Sequence, residues 1–79
     1  MVQAYILIQT EVGRAERVVP DISGVEGVTR VDYVTGPYDV VVRAQAEDVD
    51  ALGRLVIARI QRIDGIARTL TCPIVNVES

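Results

Sequence analysis

Two similar six-residue blocks, 38 positions apart, constrain the fold of this chain more than any other feature. Val25–Arg30 (VEGVTR) aligns with Ile63–Arg68 (IDGIAR), and the same offset carries Val2 onto Val40. In each half an apolar strand precedes a helical pattern, and the glycine of the block marks the end of that helix. The chain is therefore predicted to consist of two βαβ halves of equal length.

Hydrophobic periodicity gives the order β-α-β-β-α-β. Strands are predicted at Val2–Gln9, Val28–Val34, Val40–Ala46 and Ile66–Val77, and helices at Val12–Ile22 and from a cap at Glu47-Asp48 to Arg62. Pro20 predicts a kink or an early end of the first helix. Pro73 indicates an edge position or a bulge for the last strand. The order predicts an α+β, ferredoxin-like fold, with a four-stranded antiparallel sheet and both helices on one face.

The aliphatic content predicts self-association. The 79 residues allow one domain, yet they include 15 Val, 8 Ile, 4 Leu and 7 Ala, more than one small core can bury. Two helices cover only one face of the sheet, and the alternation leaves an apolar second face. We expect the domain to dimerise through that face; the alternative is that its residues are ordinary exposed aliphatics. They are Tyr5, Leu7, Val41, Val75 and Val77.

Composition excludes several kinds of site. There is no His, and Cys72 is the only cysteine, so a Cys/His zinc site, a disulfide framework and a His-dependent nucleophile are impossible. The net charge is −3 and the eight basic residues are dispersed arginines, so direct nucleic-acid binding is not expected. No apolar run is long enough for a membrane span, and no signal peptide is visible, so a cytoplasmic location is expected. No cofactor or catalytic residue is predicted.

Two short stretches are candidate binding residues. The first comprises Thr35, Gly36, Pro37, Tyr38 and Asp39, a stiff turn that offers backbone N–H groups to a carboxylate and Asp39 to an ammonium. The alternative is a plain turn in which the aspartate bonds to its own backbone. Thr69 and Thr71 lie on one face of the last strand and can line a polar site, although β-propensity alone also explains them.

The turn TGPYD, the helix ends VEGV and IDGI, and RTLT at Arg68–Thr71 resemble the ligand-binding (RAM) domain of Lrp/AsnC regulators. The resemblance covers essentially the whole chain. In full-length members a helix-turn-helix precedes this domain, whereas this chain opens at the first strand. It therefore resembles the stand-alone members, which implies a single domain over residues 1–79 without a DNA-binding domain.

The resemblance implies a function and a set of site residues. Such domains pair through their sheets, assemble into rings that are commonly octamers, and bind effector amino acids between dimers. The implied partners are thus an amino acid, further copies of the chain and possibly full-length Lrp/AsnC regulators. The implied ligand-binding residues are Thr35, Gly36, Pro37, Tyr38, Asp39, Thr69 and Thr71, with Asp50 as a weaker candidate.

Two alternative functions share this topology. A small dimeric α+β barrel enzyme usually needs a histidine or a buried acid–base pair, and the chain has no histidine, so an enzyme is not expected. An ACT-like amino-acid-binding module is close in fold and function but is usually attached to an enzyme. The TGPYD and RTLT stretches favour a non-enzymatic regulator of amino-acid metabolism.

Overall fold

A computed structural model describes residues 1–75, and its elements follow the predicted order. They are β1 (Val2–Thr10), α1 (Ala15–Ser23), β2 (Val28–Tyr33), β3 (Val40–Ala46), α2 (Val49–Arg54) with a π-helical continuation (Leu55–Ile60), and β4 (Ile66–Pro73). The strands form one antiparallel sheet in the order β2-β3-β1-β4, which confirms the α+β, ferredoxin-like fold. No helix within the described residues is long and apolar enough to cross a membrane.

The hydrophobic core lies between the sheet and the two helices. Alternate residues of the two central strands, β1 and β3, point to this side, because successive side chains of a strand face opposite ways. The helices meet them with Val18, Ile22, Val56 and Ile60, all buried. The strand residues of the core are completely buried: Ala4, Ile6, Ile8, Val40, Val42 and Ala44.

The first helix begins three residues later than predicted. Val12 was expected on its apolar stripe, but this residue lies in a turn and is fully exposed. Gly13 has φ +78°, which is not a helical conformation, and the helix starts only at Ala15. Hydrophobicity alone could not show this break, since the spacing of Val12 from Ala15 fits a helix.

The early end of the first helix that Pro20 predicts does not occur. The helix continues through Pro20 to Ser23, and the backbone N–H of Gly24 still bonds to the Pro20 carbonyl at 3.3 Å. Proline removes the donor that would normally pair with the carbonyl of Glu16. Both residues are exposed, so water can satisfy that carbonyl.

The second helix changes character half-way. Asp48 caps it by accepting a hydrogen bond from the N–H of Ala51 at 2.7 Å. Beyond Arg54 the α-helix widens into a π turn, in which the N–H of Gln61 bonds to the carbonyl of Val56 at 2.8 Å. Helical structure ends at Ile60 rather than at Arg62, and Val49, the first residue of the helix, is 66% exposed.

The sheet surface away from the helices is apolar at its centre but differs in detail from the prediction. Strand β4 lies at an edge, as Pro73 indicated, and it ends at that proline. Val75 therefore lies beyond the strand, and Val77 lies outside the described residues. The residues that β4 contributes to this surface are instead Leu70 and Cys72, which pair with Leu7 and Tyr5 of β1. We call the resulting surface the bare sheet face: Tyr5, Leu7, Val41, Leu70 and Cys72.

Candidate functional site

The turn between β2 and β3 has a defined conformation. Gly36 has φ +146°, a region that side chains with a Cβ rarely adopt, and an added Cβ would otherwise meet no close atom. Glycine is thus required there for its backbone freedom and not for space. Pro37 stiffens the next position, and a hydrogen bond from the N–H of Val34 to the carbonyl of Asp39 (3.0 Å) closes the turn.

Asp39 attaches this turn to the end of β1. One carboxylate oxygen accepts a hydrogen bond from the backbone N–H of Thr10 at 2.9 Å, and the other accepts from the Thr10 hydroxyl. The N–H of Asp39 donates to the carbonyl of Ile8 at 3.0 Å. The plain-turn alternative had the aspartate bonded to its own backbone; the structure shows instead a contact across 29 positions of the chain.

The tip of the turn presents free backbone donors. Thr35, Gly36 and Pro37 are exposed, and Tyr38 is half-buried. Within residues 1–75, the N–H groups of Gly36 and Tyr38 have no hydrogen-bond partner. Neighbouring free N–H groups at a turn favour an anion. The turn therefore has the geometry to receive a carboxylate.

Two carboxylates, those of Glu16 and Asp39, act on Tyr33 at the start of the turn. Partial removal from water raises the pKa of the Tyr33 phenol above its usual value, and the charges of Glu16 and Asp39 raise it further.

Thr69 and Thr71 line a groove between β4 and α2. Both lie on the helix side of the sheet, because they pair with the buried Ile8 and Ile6. The groove holds about 330 Å³. Its polar groups include the Thr69 hydroxyl, which accepts a hydrogen bond from the Gln61 amide at 2.8 Å. The other walls are mainly aliphatic: Val49, Leu52, Gly53, Val56, Ile57 and Pro73.

One subunit does not bring all the predicted site residues together. Ile8 of β1 pairs with Val40, the residue after the turn, on one side and with Thr69 on the other. Two strand spacings, roughly 10 Å, therefore separate Val40 from Thr69. Asp50 follows the far end of β3, roughly 20 Å along that strand from Asp39. It is the neighbour of Val49, which lines the groove. The predicted site residues thus lie in two separate regions, the turn and the groove with Asp50 near its end, which we call the two candidate half-sites.

Three contributors to these half-sites were missed by the sequence reasoning. Thr10 donates a hydrogen bond to Asp39, and Gln61 donates one to Thr69. The first contact is long-range in sequence and the second crosses a loop, so no local sequence pattern indicates either of them. Gly53 leaves the groove open, since a Cβ there would meet no atom within 4 Å. A glycine inside a helix costs about 1 kcal/mol relative to alanine, and this cost is the one signal that the sequence offered. Within residues 1–75, no group of three or more acidic or Cys side chains could hold a metal ion.

Comparisons with known proteins identify the family of this chain. The sequence model of the Lrp/AsnC ligand binding domain matches residues 3–77. This chain belongs to the Lrp/AsnC ligand-binding domain family. A curated relative, an uncharacterized HTH-type transcriptional regulator of Pyrococcus horikoshii, is 32% identical over an alignment of 71 residues that covers 86% of this chain and 47% of the relative.

Solved structures of other proteins share the fold. A Thermus thermophilus protein has a TM-score of 0.92 at 30% identity, with 100% of this chain and 99% of that chain covered. Escherichia coli AsnC has a TM-score of 0.89 at 26% identity, with 96% of this chain and 52% of AsnC covered. This Lrp/AsnC-type chain spans about half the length of the curated relatives that it matches.

Proposed function

We propose that this Lrp/AsnC-type domain is a non-enzymatic effector-binding and oligomerising unit that binds an amino acid between subunits and so modulates transcription in the cytoplasm. The observation that carries the proposal is the pair of half-sites, one rich in free N–H donors and one apolar. Neither half-site encloses a ligand by itself. A turn from one subunit placed over the groove of another makes a complete site.

The turn binds the carboxylate of the ligand in this proposal. The N–H groups of Gly36 and Tyr38 donate to it, while Thr35 and Pro37 hold the tip rigid. Asp39 mainly positions the turn, because both of its oxygens already accept hydrogen bonds from Thr10. Each oxygen retains a further lone pair, so Asp39 can still accept from an ammonium group.

The groove binds the remainder of the ligand. Aliphatic walls favour an aliphatic side chain, since burying each methylene contributes about 0.8 kcal/mol. The hydroxyls of Thr69 and Thr71 accept or donate at the polar side of the groove. Asp50 is exposed at the start of α2 and, within residues 1–75, makes no hydrogen bond through its side chain, so it is available to the ammonium group.

The bare sheet face forms the dimer in this proposal. Leu70 and Tyr5 are 46% and 42% exposed, and Leu7 lies between Val41 and Leu70 across the strands. Around this apolar centre the polar side chains are already partnered. Arg43 lies 5.5 Å from the ring of Tyr5 and donates to Gln3, and Arg30 pairs with Asp32 at 2.7 Å. A second copy of the same face covers the apolar centre while these polar side chains keep their contacts, and rings of dimers then bring turns and grooves together.

Regulation is proposed to pass through longer relatives. Curated relatives are named as HTH-type transcriptional regulators and are about twice the length of the matched region. Residues 1–79 alone, with a net charge of −3, are expected not to bind DNA specifically. Mixed assembly with a full-length regulator would carry an effector signal to DNA.

Calorimetry against the twenty amino acids tests the proposal. At least one is expected to bind, and Gly53→Leu is expected to abolish binding by filling the groove, since a Cβ at this position meets no atom within 4 Å. Thr71→Val should weaken it roughly threefold to tenfold, the effect of one neutral hydrogen bond. Gly53→Ala is the matched control and should retain binding. No binding of any amino acid at millimolar concentration, or full binding by Gly53→Leu, would contradict the proposal.

A further inference from the structure

A second cleft, separate from the groove, lies on the other side of α2. It is bounded by the start of β1, the turn between α1 and β2, the end of β3 and the second helix, and it holds about 560 Å³. It has no lining residue in common with the groove. We propose that this cleft is a second binding site, for a zwitterion of dipeptide size.

The charges of the cleft are arranged in two opposite sets. Arg54 and Arg59 come from the second helix, while Glu26 precedes β2 and Glu47 follows β3. All four are exposed, and among residues 1–75 none of them takes part in an ion pair. These four side chains carry two positive and two negative charges. The cleft therefore offers partners to a ligand that carries one group of each sign.

The π turn explains why the two arginines share the cleft. In an α-helix, side chains three or four positions apart lie on the same side. A π turn instead bonds residues five positions apart, as Gln61 and Val56 do. Arg54 and Arg59 are five positions apart, so the widened turn places both on the same wall. A pair of guanidinium groups is well matched to a carboxylate, because each can donate two parallel hydrogen bonds.

The floor of the cleft is apolar and made of small side chains. Leu55 is buried beneath it, and Ala46, Ala51 and Ala58 keep it open. These alanines favour a ligand with short side chains between its charged groups. The volume falls in the range of small-molecule pockets of about 300 to 1,000 Å³, which suits a dipeptide better than a single small amino acid.

Equilibrium dialysis of the whole chain with labelled L-alanyl-L-alanine tests this inference. Saturable binding is expected, and the N-acetylated and the C-terminally amidated dipeptides should each bind at least about tenfold more weakly, because each lacks one charge. Arg54→Gln combined with Arg59→Gln should lower the affinity for the unmodified dipeptide by a similar factor. Both arginines are exposed, so circular dichroism of this variant should match the unaltered protein.

Two control variants separate this site from others. Arg62→Gln removes an exposed arginine outside the cleft and should leave dipeptide binding unchanged. Gly53→Leu blocks the groove and should also leave it unchanged, so failure of the proposed amino-acid site would not affect the result. Absence of saturable dipeptide binding at millimolar concentration would overturn the inference, as would unaltered affinity in the Arg54/Arg59 double variant.

Discussion

At the scale of single residues, Asp39 shows how a predicted ligand contact can serve the fold. Its carboxylate accepts hydrogen bonds from the N–H and the hydroxyl of Thr10, which is only 9% exposed. A buried donor left without an acceptor loses its hydration and gains nothing in return. Part of any effect of Asp39 on ligand binding is therefore expected to come from the position of the turn.

Asp39→Ala is expected to lower the free energy of unfolding by about 1 to 3 kcal/mol, the cost of leaving the Thr10 N–H unpaired. Urea denaturation at a fixed subunit concentration measures this change, since assembly makes stability depend on concentration. Asp39→Asn retains one acceptor oxygen and should cost less. Equal stability of Asp39→Ala and the unaltered protein would show that the Thr10 contacts contribute nothing.

At the scale of elements, the sequence predicted the bounds of β1, β2 and β3 to within one residue, but not the start of α1, the end of the second helix or the end of β4. The core strand β3 has the predicted bounds, because alternation along a strand with one buried face is a strong signal. The start of α1 at Ala15 and the π turn after Arg54 depend on backbone geometry that hydrophobicity does not record. The candidate turn was found from its glycine and proline, but its contact with Thr10 and the groove beside Thr69 depend on tertiary packing.

Pro20 gives a prediction for the first helix. Pro20→Ala restores a donor to the Glu16 carbonyl and removes the crowding by the ring, so it should raise the free energy of unfolding by about 1 to 3 kcal/mol. Proline also lowers the conformational entropy of the unfolded chain, and the loss of this effect offsets part of the gain. Arg17→Ala, at another exposed position of the same helix, is the control and should have little effect. A lower urea midpoint for Pro20→Ala would mean that the proline supports the helix.

At the scale of the whole molecule, the bare sheet face and the two half-sites point to the same conclusion. The sheet exposes aliphatic side chains that a second copy can cover, and in the proposed site the two half-sites form a complete pocket only with a second subunit. Assembly and ligand binding are thus expected to be linked, because a ligand that binds only between subunits stabilises the assembled form.

Leu7→Asp tests the dimer directly. Leu7 lies at the centre of the bare sheet face, so the substitution would bury an unpaired carboxylate and should disrupt dimers. Light scattering at low micromolar concentration should give at least twice the 8.6 kDa chain mass for the unaltered protein and a lower mass for the variant. Val12→Asp is the matched control, because Val12 is fully exposed and away from the sheet; its assembly should be unchanged. An unaltered protein that is monomeric would contradict the proposed dimer.

Complementation between two inactive variants tests the shared site most directly. Gly36→Ala strains the turn and Gly53→Leu fills the groove, so each alone is expected not to bind the amino acid identified by calorimetry. When both are co-expressed in equal amounts, about a quarter of the sites should combine an intact turn from one subunit with an intact groove from another, if mixing is random. Recovery of about a quarter of the unaltered binding capacity is the predicted result. A co-assembled mixture that recovers no binding would contradict a site shared between subunits.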